Sequence, residues 1–358
     1  MTVYFVFCLL SFLVYAVANR ITLDKGKRDR FFCIFFFVGI FLLLALRHPS
    51  MGIDLGHDRY YGYLASFDKL SAMSWQEIFA LDEWLNYERG YVIFNKLIGS
   101  ISQNRQFFLG VVSFISLLPV FFMIYRESKD RVLSCFIYLG LPVFCLLYSG
   151  LRQDIAIALV LLSFYCILKK KPIPFILLVL LASTFHESAL LCLVAYPLYY
   201  LRVNRAVRTA TFALLPLVYL LRIPIMRLVF LVLGIHDAIV DTGALVLFLF
   251  FAALYLLLFL LSDDSEDHNG LLNLFFVACL IQALSGVYNT ATRLGYYFTF
   301  ALLFLLPSIF AKEKSENTRR ILRVGGILAF CLIGLSFIAT TDWAMANPYY
   351  FFWQTLPA

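Results

Sequence analysis

Apolar runs of about 13 to 19 residues recur along the whole chain, at roughly 2 to 18, 31 to 46, 107 to 125, 132 to 148, 153 to 168, 172 to 185, 188 to 201, 209 to 221, 244 to 261, 271 to 287, 294 to 311 and 321 to 339. About 20 apolar residues cross a bilayer as a helix, and neither a signal peptide nor one anchor repeats in this way. Hydrophobic residues make up 62% and charged residues 14%, against about 45–50% and about 25% in soluble domains. The mean hydropathy is +0.86. Solid apolar runs, rather than the dyad alternation of barrel strands, specify an all-α polytopic bundle of about twelve transmembrane helices, a single integral membrane domain over residues 1–358. The pair of runs around Thr184, Phe185, His186 and Glu187 reads equally as one bent hairpin or as two spans.

Lysine and arginine are retained on the cytoplasmic side, and here they segregate by alternate loops. Nineteen of the 29 fall in Arg20–Arg30, Arg126–Arg131, Lys169–Lys171, Arg202–Arg208 and Lys312–Arg323; the remaining ten lie on the other side. This arrangement turns both chain ends outward. The net charge of +7 is then a topological signal with attraction to anionic lipid, and nucleic acid is not expected as a partner. All eight cysteines fall within the apolar runs, where thiols serve as small packing groups.

The longest polar segment, His48 to Gln106, is expected to be an extracytoplasmic loop with interfacial helices. Trp75 to Leu85 and Tyr91 to Ile101 carry helical apolar patterns that suit interfacial helices, and ordinary packing is the favoured account of them over substrate binding. Within the loop, Asp54 and Asp58 stand beside Tyr60 and Tyr61, carboxylates next to aromatic rings as sugar recognition requires; a plain turn is the competing account. The run Asp263, Asp264, Glu266 and Asp267 is expected to be a solvated face, and His48, His57, His236 and His268 are read as solvated loop residues. The chain contains no Walker loop, dinucleotide turn, nucleophile elbow or CxxC, so neither a cofactor nor a metal is expected.

Ionisable groups at the ends of apolar spans are costly unless paired or wet. Arg47, Arg152, His186 and Arg293 occupy such positions, all assigned to the outer side. Ser149, Arg152, Ala156 and Ser163 are spaced as a small, polar stripe on one helical face. The alternative for Arg152 is snorkelling or a pair with Asp154; for His186 it is a hydrogen-bonded structural role. A guanidinium matches phosphate oxygens bidentately, so arginines converging on one cavity would suit a diphosphate.

The order Arg47, Gly52, Asp54 and Tyr60, then Tyr87-Glu88-Arg89-Gly90-Tyr91, Leu151-Arg152-Gln153 with Ala156, Phe185-His186-Glu187-Ser188, Arg293 with Tyr296 and Tyr297, and Pro348-Tyr349 resembles the EpsG family of exopolysaccharide proteins, related to Wzy-type O-antigen and capsule polymerases. The resemblance implies a GT-C-like glycosyltransferase bundle in the bacterial inner membrane. It implies transfer of glycan from an undecaprenyl-diphosphate-linked donor to a lipid-linked repeat unit on the extracytoplasmic face. It also implies His186, Arg152 and Glu88 as catalytic residues, and Arg47, Asp54, Tyr60, Gln153, Arg293 and Tyr297 as substrate-binding residues. The implied partners are the lipid-linked oligosaccharide, membrane lipid and a chain-length regulator protein.

Competing readings are an O-antigen-ligase-like or acyl transferase, which also uses outer arginines and a histidine, and a lipid-linked oligosaccharide flippase or other transporter. A transporter would carry charge near mid-span or internal repeats; here the ionisable groups cluster at span ends. A structural membrane partner is a third reading.

Overall fold

A computed structural model of the chain describes residues 1–21, 24–56, 62–81, 87–234, 244–287 and 289–355. They form two compact units, Met1–Leu191 with Ser315–Ala358, and Cys192–Lys314. The first begins with α1 (Thr2–Ile21), α2 (Lys25–Ala45), α3 (Ile53–Gly56), α4 (Tyr63–Ala72), α5 (Trp75–Ala80), α6 (Arg89–Ile101), α7 (Arg105–Glu127), α8 (Arg131–Gly140), α9 (Val143–Ser149), α10 (Leu151–Leu168) and α11 (Pro172–Ser183). The second holds α12 (Ala195–Tyr200), α13 (Arg205–Leu220), α14 (Arg222–Leu233), α15 (Leu245–Leu261), α16 (Glu266–Ser285), α17 (Asn289–Thr299) and α18 (Leu302–Lys312); α19 (Glu316–Thr340) returns to the first.

Among the described residues, α1, α7, α10, α16 and α19 are each long and apolar enough to cross a bilayer. With the bent pairs α8/α9 (59°), α13/α14 (82°) and α17/α18 (41°) each counted as one broken span, the number rises to eight at most. Several of the twelve apolar runs are therefore not single rods. The run 132–148 breaks at Leu141-Pro142, where Leu141 is extended (φ −82°, ψ 142°), because the ring of a proline bars the preceding residue from helical geometry. The run 188–201 is a 3₁₀ segment, Glu187–Val194, followed by the six-residue α12. Conversely, α14 occupies residues 222–233, where no span was expected. Hydropathy detects burial in lipid or protein; it does not detect an interrupted hydrogen-bond ladder.

The charged connections also carry the helix starts. Asp24, Asn104, Asp130, Asn204, Ser265 and Ser315 each accept a backbone N–H of the first turn of the following helix, satisfying donors that would otherwise be orphaned, each cap stabilising by about 1 kcal/mol.

In the first unit α10 lies at the centre, packed against α7 and α11, while α2 also packs on α7 and α8 on α19. Phe67 of α4 stacks on Phe108 of α7 at 4.3 Å, fastening the loop helices to the bundle. Outward faces are apolar: Leu9 and Leu13 on α1 and Leu328 and Leu332 on α19 are exposed, as helices facing lipid should be. All eight cysteines are buried and unbridged.

The chain ends meet at one end of this unit. The amino group of Met1 donates to Asn347 Oδ1 at 2.7 Å. The tail pairs with the exit of α2, forming an antiparallel bridge between Arg47 and Phe351. There the N–H of His48 donates to Tyr350 O at 2.8 Å and that of Phe352 to Leu46 O at 2.9 Å.

One reading of the charged connections is corrected in the second unit. His268 is buried in the first turns of α16, with Nδ1 2.7 Å from Asp263 and Nε2 2.9 Å from Ser308 Oγ. The acidic run Asp263, Asp264, Glu266 and Asp267 is exposed, as expected of a solvated face, and Asp263 pairs there with Lys312 and Asp264 with Arg205. His57, Asp58, Tyr60, Tyr61 and His236 lie outside the described residues.

Candidate functional site

Arg152 occupies the first turn of α10, directly after Gly150, which ends α9. The break removes one expectation: Ser149 belongs to α9, so it does not share a helical face with Arg152, and the small, polar stripe starts at Arg152. The partner also differs from the one adjacent in sequence. Arg152 pairs with Glu88, both side chains less than one-fifth exposed, whereas Asp154 is buried. Residues i and i+2 point to different sides of a helix, so Asp154 is turned away from its neighbour.

Tyrosines surround the guanidinium. The ring of Tyr87 lies 4.4 Å from its Cζ, and Nε donates to the Tyr63 hydroxyl at 3.4 Å. A cation over an aromatic face in a partly dry site gains roughly 1–2 kcal/mol. Burial pushes the Tyr63 phenol up to about 12 against the opposing pull of Arg152, with Asp54 and Tyr87 adding to the rise. Tyr87 is raised by burial too, and again Asp54 contributes. Neither phenol ionises near neutrality; both remain hydrogen-bonding hydroxyls. Neither Tyr63 nor the aromatic setting of Arg152 was singled out from the sequence, because the contacts join α4, the α6 entry and α10 across about 90 residues.

The second oxygen of the Glu88 carboxylate accepts the backbone N–H of Glu187 at 3.0 Å. One side chain thus ties the head of α10 to the turn that carries His186. That turn is held in two further ways. The N–H of Tyr91 donates to Thr184 O at 3.2 Å, and Phe185 packs on Phe94 with ring centroids 5.7 Å apart. Gly90 makes the approach possible: a Cβ there would sit 2.2 Å from Thr184 Oγ1 and 2.7 Å from Thr184 O. His186 is half-buried, and its Nδ1 lies 2.8 Å from Ser188 Oγ.

Asp54, at the start of α3, accepts a hydrogen bond from Ser149 Oγ at 2.8 Å and returns one from its own N–H at 3.3 Å. Gly52 (φ +110°) supplies the left-handed turn that brings the loop to the α9 end, where a side chain would strike Tyr148 O. Asp54, Glu88, Arg152 and the His186 turn therefore share one end of the first unit.

Arg47 belongs to a second layer beneath it. It is fully buried, donates from one terminal nitrogen to Leu147 O at 2.7 Å, and stacks on Tyr148, its Cζ 5.1 Å from the ring centre. Nε and the other terminal nitrogen have no hydrogen-bond partner among the described residues. Burial drives its pKa down, while Tyr148, the buried Asp154, Tyr349 and Tyr4 oppose the shift. Tyr4 donates to Ala346 O at 2.7 Å and its hydroxyl lies 3.0 Å from that of Tyr148, and Tyr349 donates to Leu43 O at 2.9 Å, so this layer also fixes the tail. Gln153 is buried in α10. Arg293 and the buried Tyr297 lie on α17 of the second unit.

Fold and site together define a multispanning helical membrane protein with an arginine, a carboxylate and a histidine gathered at the end of one bundle. The EpsG family matches residues 30–353, nearly the whole chain, and the chain belongs to that family, which carries a polysaccharide-polymerase-like, glycosyltransferase-type role. No curated protein and no solved structure matches it.

Proposed function

We propose that the protein polymerises lipid-linked oligosaccharide, transferring the growing glycan from a lipid diphosphate such as undecaprenyl diphosphate to a sugar hydroxyl of an incoming lipid-linked repeat unit, on the extracytoplasmic face. The observation that carries this reading is the Glu88 carboxylate bridging Arg152 and the His186 turn. It puts a fixed cation and a titratable ring on one scaffold, in a chain whose family has a polymerase-like role.

In the reaction the bond from the donor sugar C1 to the diphosphate oxygen breaks, and a bond from C1 to the acceptor hydroxyl oxygen forms. The leaving lipid diphosphate takes the electron pair, and the acceptor proton is removed. Arg152 faces the charge that develops on the leaving group; a preorganised donor of this kind is typically worth about 3 kcal/mol at the transition state. His186, whose ring exchanges a proton near neutral pH, is the group that takes the acceptor proton. Glu88 holds both groups in register. Tyr63, Tyr87 and Asp54 line the approach with hydroxyls, ring faces and a carboxylate, the groups that bind sugars. Arg47 acts from below, holding the tail and α9 in place. Arg293 and Tyr297 are retained as further substrate-binding residues.

The test is the polysaccharide made in cells lacking the native gene. Arg152→Ala, His186→Ala and Glu88→Gln should each abolish long chains at normal protein level and membrane insertion; normal chain lengths in all three would overturn the proposal. A ligase would give single transfer in place of a ladder.

A further inference from the structure

Within the second unit a cavity of about 450 Å³ opens at the starts of α13 and α16. Its lining includes Arg202, Arg205 and Arg208 and, opposite them, Asp263, Asp264 and Glu266. Several of these charges are already engaged. Asp263 pairs with Lys312 and His268; burial raises its pKa, but Lys312, Ser265 and His268 hold it below the ordinary carboxylate value. Asp264 lies 3.3 Å from Arg205.

Two cations remain. Arg208 is only 4% exposed, yet among the described residues its hydrogen bonds go to neutral acceptors: the Tyr255 hydroxyl at 3.1 Å, Asn273 Oδ1 at 2.8 Å, and Asn269 through its side chain and its carbonyl. No carboxylate pairs with it among the described residues. Arg202 is exposed and enters no ion pair among them either. The positive end of α13 adds to this field. Its first turn holds no acidic residue and begins with Arg205, the reverse of the charge a helix N-terminus favours. A buried charge is expensive without a counter-charge, and these three features leave a polar cavity short of one anion.

We infer that this cavity binds a phosphate group, Arg208 at its floor and Arg202 at its mouth. A guanidinium pair spaced about such a cavity suits a phosphodiester headgroup of an anionic lipid or a free phosphate. The segment 202–208 is one of the lysine- and arginine-rich connections that the sequence assigns to the cytoplasmic side, where anionic headgroups are plentiful. The site is independent of the chemistry proposed at Arg152.

The test is native mass spectrometry of the full-length purified protein with phosphatidylglycerol, with phosphatidylcholine and with inorganic phosphate as separate probes. The wild type should retain phosphatidylglycerol at least about tenfold better than phosphatidylcholine. Arg202→Gln, at an exposed position, should weaken that retention about tenfold, Arg208→Gln should remove it, and Arg319→Gln, an exposed arginine elsewhere, should leave it unchanged. Displacement by millimolar inorganic phosphate assigns the site to the phosphate group itself; retention despite phosphate assigns it to the lipid. Equal retention of both lipids with no phosphate bound would overturn the inference, as would an Arg319→Gln loss equal to that of Arg202→Gln.

Discussion

Glu88 and Arg152, 64 residues apart in sequence, form an ion pair in which the carboxylate keeps its other oxygen on the N–H of Glu187. Removing Glu88 therefore does two things. It frees the guanidinium and detaches the His186 turn. Glu88→Gln keeps an acceptor for the N–H but loses the charge. It should retain the fold and lose activity by roughly 10² to 10³, the size of one well-placed charge interaction. Initial rates of chain extension at equal protein level check this.

Arg152→Lys separates charge from shape. An ammonium restores the pair with Glu88, but it cannot keep the flat stack on Tyr87 together with a two-pronged grip on phosphate. The lysine variant should be impaired at least tenfold with its thermal midpoint nearly unchanged. Wild-type rates would mean that only the charge matters.

Gly90→Ala tests the scaffold without touching an ionisable group. The new methyl meets both the hydroxyl and the carbonyl of Thr184, so the His186 turn must move away from α6. Activity should fall at least tenfold while expression persists. Thr184→Ala added to it should restore little, because the carbonyl contact remains.

How far the sequence carries depends on distance along the chain. The helical membrane class, the buried cysteines and most helix limits follow from local apolar runs and from caps such as Asp130 and Ser315, all legible within a few residues. Arg152 and His186 stood out because charge at the end of an apolar run is costly wherever it occurs. Glu88 was named through the family resemblance, but its pairing with Arg152 and the His186 turn was not, because only the folded loop of α3 to α6 carries Glu88 and Tyr63 to the head of α10. The helix break at Leu141-Pro142 was hidden for a different reason, since both sides of it are equally apolar. His268 was misjudged because its burial depends on α18, 40 residues away.

The layer under the site predicts a stability effect. Arg47 is fully buried with Asp154 among the groups opposing its discharge. Replacing one member of a buried charge arrangement costs about 3–5 kcal/mol. Arg47→Met should thus lower the thermal midpoint in detergent markedly, and the double variant Arg47→Met with Asp154→Leu should recover much of the loss. Unchanged midpoints in both would remove Arg47 from this structural role.

Acid should loosen the tail clasp. Burial lowers the pKa of His48 from the ordinary 6.5, so the unfolded chain takes up the proton more readily than the folded one. The associated stability is full above pH 6.5 and is lost as the pH falls toward and through the lowered folded value. The midpoint of the wild type should drop over that window more than that of His48→Gln, compared at pH 8 and pH 5.

The central claim is tested most directly with purified protein in liposomes, given a lipid-diphosphate-linked repeat unit as the sole substrate. Wild-type protein should build a ladder of glycans and release one lipid diphosphate per bond formed, and folded Arg152→Ala and His186→Ala should do neither. Ladders of wild-type length from both variants, or no diphosphate release by the wild type, would contradict it.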